Sequence, residues 1–281
     1  MDLLQILILA IVQGAAELLP ISSSAHVIVA EKWMGLDPTA PKMTLLLVML
    51  HTGTMFAVIV YFWKSWRAAY FSSLAAFRAT ALQVIVATAL TGVVGLVLLQ
   101  AIKHVVAGGS ASFEIESIFG NTRLIAGALA AAGALILVSS RFSEGLDNDF
   151  SLKRAAWVGA VQGLCLPFRG FSRSGATIST GLILGVNRRR AEEFSFALAV
   201  VLTPPVIARE AWRLYKALPA SSPTGGSALL HSLAPSLLGM TLSFLTGMVA
   251  LRWLSRWLEQ GRWYFFGAYC LVASMIVLWI S

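Results

Sequence analysis

The sequence predicts an all-α integral membrane protein, a polytopic helical bundle forming one membrane domain over residues 1–281. Three observations predict it. The chain is 58% hydrophobic and 12% charged, about half the roughly 25% charge of a soluble domain, and its mean hydropathy is +0.79. Apolar runs of bilayer length recur from end to end, leaving no stretch for a separate soluble domain. Short motifs recur between the two halves of the chain, and some of the apolar segments that carry them are broken by proline and glycine. The same composition excludes an ordinary soluble enzyme, a disordered chain and a collagen-like repeat. Cys165 and Cys270 each sit in an apolar run without a C-x-x-C partner, which excludes a disulfide scaffold and reads them as small core residues.

Residues 1–19 carry Asp2 where a cleaved leader would be basic, and Gln13 and Glu17 interrupt the apolar run, so this segment is expected to stay in the mature protein. Runs 43–63 and 82–102 are long enough to span about 30 Å of hydrocarbon at 1.5 Å per residue. The Ala/Gly/Leu-rich run 122–140 also qualifies, as do 229–251 and 263–280. Residues 1–19, 155–168, 176–187 and 194–208 are shorter or broken, by Pro20, Pro167, Gly170, Pro204 and Pro205. Irregular backbone at bilayer depth survives only where protein buries it or water reaches it, so the breaks predict two re-entrant segments beside a cavity. Trp63, Trp66, Trp253, Trp257 and Trp263 lie beside Lys64, Arg67, Arg252, Arg256 and Arg262 and read as an interfacial belt.

Val12-Gln13-Gly14 recurs as Val161-Gln162-Gly163, each followed by a proline and a serine-rich stretch, and Leu90-Thr91-Gly92 recurs as Leu245-Thr246-Gly247. The halves are therefore about 1–146 and 147–281. If each crosses the bilayer an odd number of times, the copies enter from opposite sides and form an inverted repeat. Lys and Arg are spread over nearly every loop; 64–81, with Lys64, Arg67, Arg78 and no acid, is the best cytoplasmic candidate.

The net charge is +8, yet no basic block exceeds Arg188-Arg189-Arg190 and no aromatic stacking platform accompanies it. Nucleic acid is not the expected partner; an anionic membrane surface or anionic substrate fits better. Gln13 and Glu17 are four apart and share a helix face, and an ionisable group in so apolar a segment lines a cavity or finds a partner unless it snorkels to a helix end. After Pro20 come Ser22, Ser23, Ser24 and then His26, so carboxylate, hydroxyl and imidazole, the parts of an activated nucleophile, fall within ten residues. A serine run after proline also serves as a helix N-cap.

In the second half, Arg169-Gly170-Phe171-Ser172-Arg173-Ser174-Gly175-Ala176-Thr177 sets two glycines around an S-R-S core at the start of an apolar helix, a composition suited to an oxyanion. Arg173 can grip a phosphate bidentately, and Gly170, Ser172, Ser174 and Thr177 supply backbone and hydroxyl donors. The plain alternative makes Arg169 and Arg173 interfacial anchors. Gly170 to Thr177 has P-loop spacing but Ala176 in place of lysine and no preceding strand, which argues against an NTPase. The S-R-x-x-x-x-x-H pattern of acid-phosphatase-type lipid phosphatases fails, because Ser179 stands six residues beyond Arg173. An amphiphile with a phosphate head is the natural ligand.

Gln13-Gly14-Ala15-Ala16-Glu17, followed by Leu-Leu-Pro-Ile-Ser-Ser-Ser-Ala-His, and Gly170-Phe171-Ser172-Arg173-Ser174-Gly175-Ala176-Thr177 resemble the two signatures of the undecaprenyl-diphosphate phosphatase family, the bacitracin-resistance membrane proteins. Likeness continues through Leu50 to Trp63 and Glu193-Phe194-Ser195-Phe196 and so covers most of the chain. The resemblance implies hydrolysis of polyprenyl diphosphate to the monophosphate and inorganic phosphate at the outer face of the bacterial inner membrane, recycling a cell-wall lipid carrier, with a divalent cation, Mg²⁺ or Ca²⁺. It assigns Glu17 and Gln13 to an acidic cluster, with Glu17 and the substrate phosphates holding the cation. It assigns Ser23 and His26 to the nucleophile and base, with Ser22 beside them, and Arg173 to the diphosphate clamp. Ser23, His26 or a water are the candidate nucleophiles. A homodimer is compatible with this reading. Three positions depart from the family pattern: Gln13 takes the amide option, Arg169 replaces a proline, and Ala25 replaces a glycine. Two other readings remain, a flippase for the polyprenyl monophosphate and a catalytically weakened carrier-binding paralogue. His51 reads as a hydrogen-bonded core imidazole, and Glu192 and Glu193 as loop acids balancing Arg188 to Arg190.

Overall fold

The computed structural model describes residues 2–37, 41–107, 121–142, 145, 150–168, 170–217 and 226–280. Ten helices form among them: α1 (Leu3–Leu18), α2 (Ser23–Trp33), α3 (Pro41–Ala69), α4 (Leu74–Ala107), α5 (Thr122–Ser139), α6 (Leu152–Leu164), α7 (Arg173–Ile183), α8 (Arg188–Ala217), α9 (Gly226–Glu259) and α10 (Tyr264–Ile280). The first five run 16, 11, 29, 34 and 18 residues and the second five 13, 11, 30, 34 and 17, the same order of short and long. Five stretches, Met43–Ala69, Leu74–Val105, Thr122–Ser139, Arg188–Arg209 and Ala234–Glu259, are long and apolar enough to cross a membrane. The chain is an all-helical, multi-pass membrane protein.

Both expected breaks occur. Pro20 falls in the turn between α1 and α2, and Pro167 and Gly170 fall between α6 and α7. Residues 194–208 differ from expectation: α8 runs unbroken through Pro204 and Pro205. A proline removes one N–H and crowds one carbonyl, which in a membrane helix bends the ladder without ending it.

Residues cluster into two compact units, the first Met1–Leu18, Ser23–Trp63 and Ala199–Leu254, the second Leu19–Ser22, Lys64–Leu198 and Ser255–Ser281. In the first unit, Ile6, Leu9, Ala10, Val27, Met43, Leu46 and Leu50 make an apolar core. There α9 seats on α1 and α3 through small residues. A Cβ on Gly14 would lie 2.8 Å from the Ser243 carbonyl oxygen and from Thr246, and one on Gly53 would collide with the Met240 carbonyl. The Ser243 hydroxyl donates to the Leu50 carbonyl at 3.0 Å.

In the second unit, α4 seats on α6 by the same means. A Cβ on Gly159 would collide with the Ala87 backbone, and one on Gly163 would lie 3.0 Å from the Thr91 carbonyl oxygen. Thr91 donates to the Ala87 and Gly159 carbonyls and accepts from Gln162 at 2.9 Å. Gly14 and Gly163 belong to one recurring motif and Thr246 and Thr91 to the other, so in each unit the motif glycine packs on the motif threonine from the opposite half of the sequence. Close backbone approach of this kind takes the place of the hydrophobic drive that lipid cannot supply. Gly159→Ala is accordingly expected to lower stability by about 2 kcal/mol through overpacking. Gly92→Ala, where an added Cβ meets nothing within 4 Å, should leave it unchanged. Thermal unfolding of both variants in detergent checks the contrast.

Two belt tryptophans are internal. Trp66 gives its indole N–H to the Glu193 carbonyl at 3.2 Å, and Trp263 reaches the Ser139 and Ser179 hydroxyls at 3.0 and 3.2 Å. Acceptors inside the fold satisfy the polar handle that would otherwise seek the interface. Trp63 and Trp253 are exposed as a belt requires. Glu192 and Glu193 are likewise buried on α8 rather than on a loop. Glu193 takes Arg189, Arg190 and the Ser65 hydroxyl, and Glu192 takes the Ser255 hydroxyl at 2.5 Å. Burial, and then the Glu193 charge, push the phenol of Tyr70 well above its usual range.

Candidate active site

In the first unit two hydrogen-bond donors converge on one carboxylate oxygen, and an imidazole approaches it. Gln13 and Glu17, one turn apart on α1, are joined by Gln13 Nε2–H to Glu17 Oε2 at 3.2 Å. Ser23, the first residue of α2, donates its hydroxyl to the same Oε2 at 2.6 Å. His51 on α3 points Nε2 at that oxygen from 3.7 Å, while its Nδ1 lies 2.8 Å from the Leu47 carbonyl. The Glu17 side chain is 16% exposed and that of His51 40%. The short Ser23 bond has the length of a hydroxyl held by an ionised acceptor. The tight turn after α1 folds the start of α2 back onto the end of α1, which brings the Ser23 hydroxyl to Glu17; His26 lies one turn further along α2 and is half-buried. The side chains of Ser24 and the whole of Arg169 lie outside the described residues.

The turn itself belongs to the second unit. Ser22 is buried there with a φ of 68°, a left-handed conformation that costs a non-glycine residue about 1–3 kcal/mol and concentrates at functional sites. The turn is tied down on both preceding carbonyls, that of Leu19 by the Ser174 hydroxyl at 3.4 Å and that of Pro20 by the Cys270 thiol at 3.3 Å. Ser174 thus links the serine-rich turn of the first motif to the second motif.

Around Arg173 the hydroxyls are committed to building the site. Ser172 caps α7, its Oγ accepting from Gly175 N–H at 3.2 Å, and its carbonyl accepts from Ala176 N–H at 2.8 Å. Thr177 donates to the Arg173 carbonyl at 2.9 Å and shares a 2.5 Å hydroxyl contact with Ser195. Gly170 has a φ of 104°, and a Cβ there would lie 2.6 Å from the Ile125 carbonyl oxygen, so only glycine fits. Half-buried Arg173 therefore leads a rigid helix start whose amide dipoles favour an anion.

The family model described as "Bacitracin resistance protein BacA" matches residues 6–276. The chain belongs to this family. Among BacA relatives, "Undecaprenyl-diphosphatase 2" of Acinetobacter baylyi is 62% identical over 281 residues, covering all of this chain and 99% of its own. "Undecaprenyl-diphosphatase" of Thermus thermophilus is 36% identical over 88% of this chain and 85% of its own, and that of Desulfosudis oleivorans 33% identical over 100% and 99%.

Of the residues singled out in this BacA sequence, the first unit gathers Gln13, Glu17 and Ser23, and the second holds Ser22, Gly170, Ser172, Arg173, Ser174 and Thr177. His51 and Ser195 are the additions. The rule that flags Glu17, an ionisable side chain within an apolar span, flags His51 as well; its place at the carboxylate depends on α3 packing, which no local pattern reveals.

Proposed function

We propose that the chain hydrolyses the terminal phosphoanhydride bond of undecaprenyl diphosphate, releasing undecaprenyl monophosphate and inorganic phosphate. Relatives named for that reaction along their whole length support the substrate. The 2.6 Å bond from Ser23 to Glu17 carries the mechanism. Ser23 Oγ attacks the terminal phosphorus as Glu17 takes its proton; the Ser–O–P bond forms, the bridging P–O bond breaks, and the monophosphate leaves. Water then cleaves the phosphoserine. Arg173 and the start of α7 hold the diphosphate and stabilise the charge on its equatorial oxygens, the main catalytic demand of phosphoryl transfer. His26, close along α2, serves the leaving oxygen or the attacking water as acid or base. Gln13 holds Glu17 in place.

Among the described residues no three His, Cys, Asp or Glu side chains form a metal cage. One carboxylate nevertheless suits an ion that takes most of its oxygens from substrate phosphates, as Mg²⁺ does. Glu17 would hold the Mg²⁺ or Ca²⁺ with those phosphates, and the ion would supply charge neutralisation. The recurring motifs and element lengths support an inverted repeat of residues 1–146 and 147–281, with α1–α2 and α6–α7 as its re-entrant pairs. The site then faces the outer side of the bacterial inner membrane, where the carrier is recycled for cell-wall synthesis. A homodimer fits such a bundle.

Ser23→Ala should lower kcat by about 10³-fold, as loss of a covalent nucleophile does, while lipid diphosphate still binds. Brief incubation of wild type with labelled substrate should trap phosphoserine at residue 23. Wild-type turnover in Ser23→Ala, or phosphate trapped on His26 instead, contradicts the assignment.

A further inference from the structure

We infer that Ser195 is a positioning residue of the reaction, holding the first turn of α7, and with it Arg173, where the diphosphate is gripped. The inference rests on the role given to Arg173 above and adds a residue that lies outside both sequence motifs. All of the residues involved belong to the second unit.

The protons at the contact can be assigned. Thr177 Oγ1 lies 2.9 Å from the Arg173 carbonyl oxygen and 3.4 Å from that of Ser174, and carbonyls only accept, so the single hydroxyl proton of Thr177 is spent on the α7 backbone. At its 2.5 Å contact with Ser195, Thr177 therefore accepts and Ser195 donates. Thr177 and Ser195 are 1% and 4% exposed, so bulk water cannot replace either partner. Thr177 thus acts on the carbonyl of Arg173, and Ser195 fixes Thr177 in the position to do so.

The contact sits in a close seam. One turn onward in α7 and one turn back in α8, a Cβ on Gly181 would lie 2.8 Å from the Ala191 Cβ, so the two helices run antiparallel and tightly packed from that point to Thr177 and Ser195. α8 is held from its other sides as well. Phe194 stacks on Phe150 at 4.1 Å and packs with Ala87, Ala155 and Val158. Glu193 takes Arg189, Arg190 and the Ser65 hydroxyl, and its carbonyl takes the Trp66 indole. Ser195 therefore presents its donor from a rigid element to the turn that carries Arg173. Removing that donor strands a buried Thr177 oxygen, which is relieved only by turning Thr177 or shifting the start of α7. Ser172 and Gly170 continue to hold that start, so the displacement is small and the loss partial.

The test measures kcat and KM for phosphate release from a C55 isoprenyl diphosphate in detergent, together with thermal unfolding, for wild type, Ser195→Ala, Thr177→Val and the double variant. Ser195→Ala is expected to lower kcat/KM about tenfold, chiefly through KM, a part of the roughly 10²-fold that a 1 Å misplacement costs. Its thermal unfolding should stay near wild type. Thr177→Val keeps the shape without the hydroxyl and should lose about as much. The double variant should be no worse than the poorer single change, because all three break one contact. Wild-type kcat/KM in Ser195→Ala overturns the inference, and so do losses that multiply in the double variant. A Ser195→Ala protein that does not fold, or that shows lower kcat, unchanged KM and a lowered unfolding temperature, also overturns it, because it reports a smaller folded fraction rather than a displaced Arg173. Absence of phosphate release from folded wild type is the separate failure of the phosphatase reading. Binding of the lipid diphosphate then decides the inference: about tenfold weaker in Ser195→Ala supports it, and unchanged binding overturns it.

Discussion

Arg173→Ala should reduce hydrolysis of undecaprenyl diphosphate by about 10³-fold or more, and Arg173→Lys should recover only a minor part. A single oxyanion donor is worth about 10²–10³ in kcat, and Arg173 supplies both charge and a planar pair of N–H groups that match a phosphate where lysine offers a point charge. The scaffold should survive the change, because the start of α7 is fixed independently of the guanidinium: Ser172 caps it, Gly170 fits only as glycine, and Thr177 ties it to Ser195. The loss should therefore appear in kcat/KM and in diphosphate affinity while thermal unfolding in detergent stays near wild type. Near-normal turnover in Arg173→Ala would return this residue to the role of an interfacial anchor.

Glu17→Gln should be comparably severe, about 10²–10⁴-fold in kcat, the usual range for loss of a general base. Glutamine matches glutamate in size, so Gln13 and Ser23 keep an acceptor in the amide oxygen while the group able to take the Ser23 proton is gone. KM should change little. Glu17→Asp retains the base but withdraws it from Ser23 by one methylene, and should fall between the two. Steady-state kinetics on the three proteins separates these outcomes; a Glu17→Gln enzyme with wild-type kcat would transfer the base to His26.

The sequence already places the breaks at Pro20, Pro167 and Gly170 and four of the five spans, 43–63, 82–102, 122–140 and 229–251, whereas Arg188–Arg209 replaces the expected 263–280, which forms the shorter helix α10. Pro204 and Pro205 mislead for a physical reason: a proline ends a helix in water more readily than in a bundle where neighbours satisfy the freed groups. Trp66 and Trp263 mislead because an interfacial and an internal tryptophan look alike until the acceptor for the indole N–H is known. At the site, helix periodicity suffices to pair Gln13 with Glu17. The Ser23–Glu17 bond depends on the turn geometry at Ser22, and the His51 approach depends on α9 seating against α1 and α3, contacts between residues such as Ser243 and Leu50 that are 193 apart in sequence. The hydroxyls of Ser172, Ser174 and Thr177 show the same limit, since composition reveals the groups but not the partners the fold gives them.

The most direct test of the central claim is phosphate release from a C55 isoprenyl diphosphate by the purified protein in detergent, with Mg²⁺ or Ca²⁺ and with a chelator, for wild type, Arg173→Ala and Glu17→Gln. Cation-dependent release by wild type that is lost in both variants is the predicted result. A folded wild-type protein that binds the lipid diphosphate and releases no phosphate under any of these conditions would contradict it.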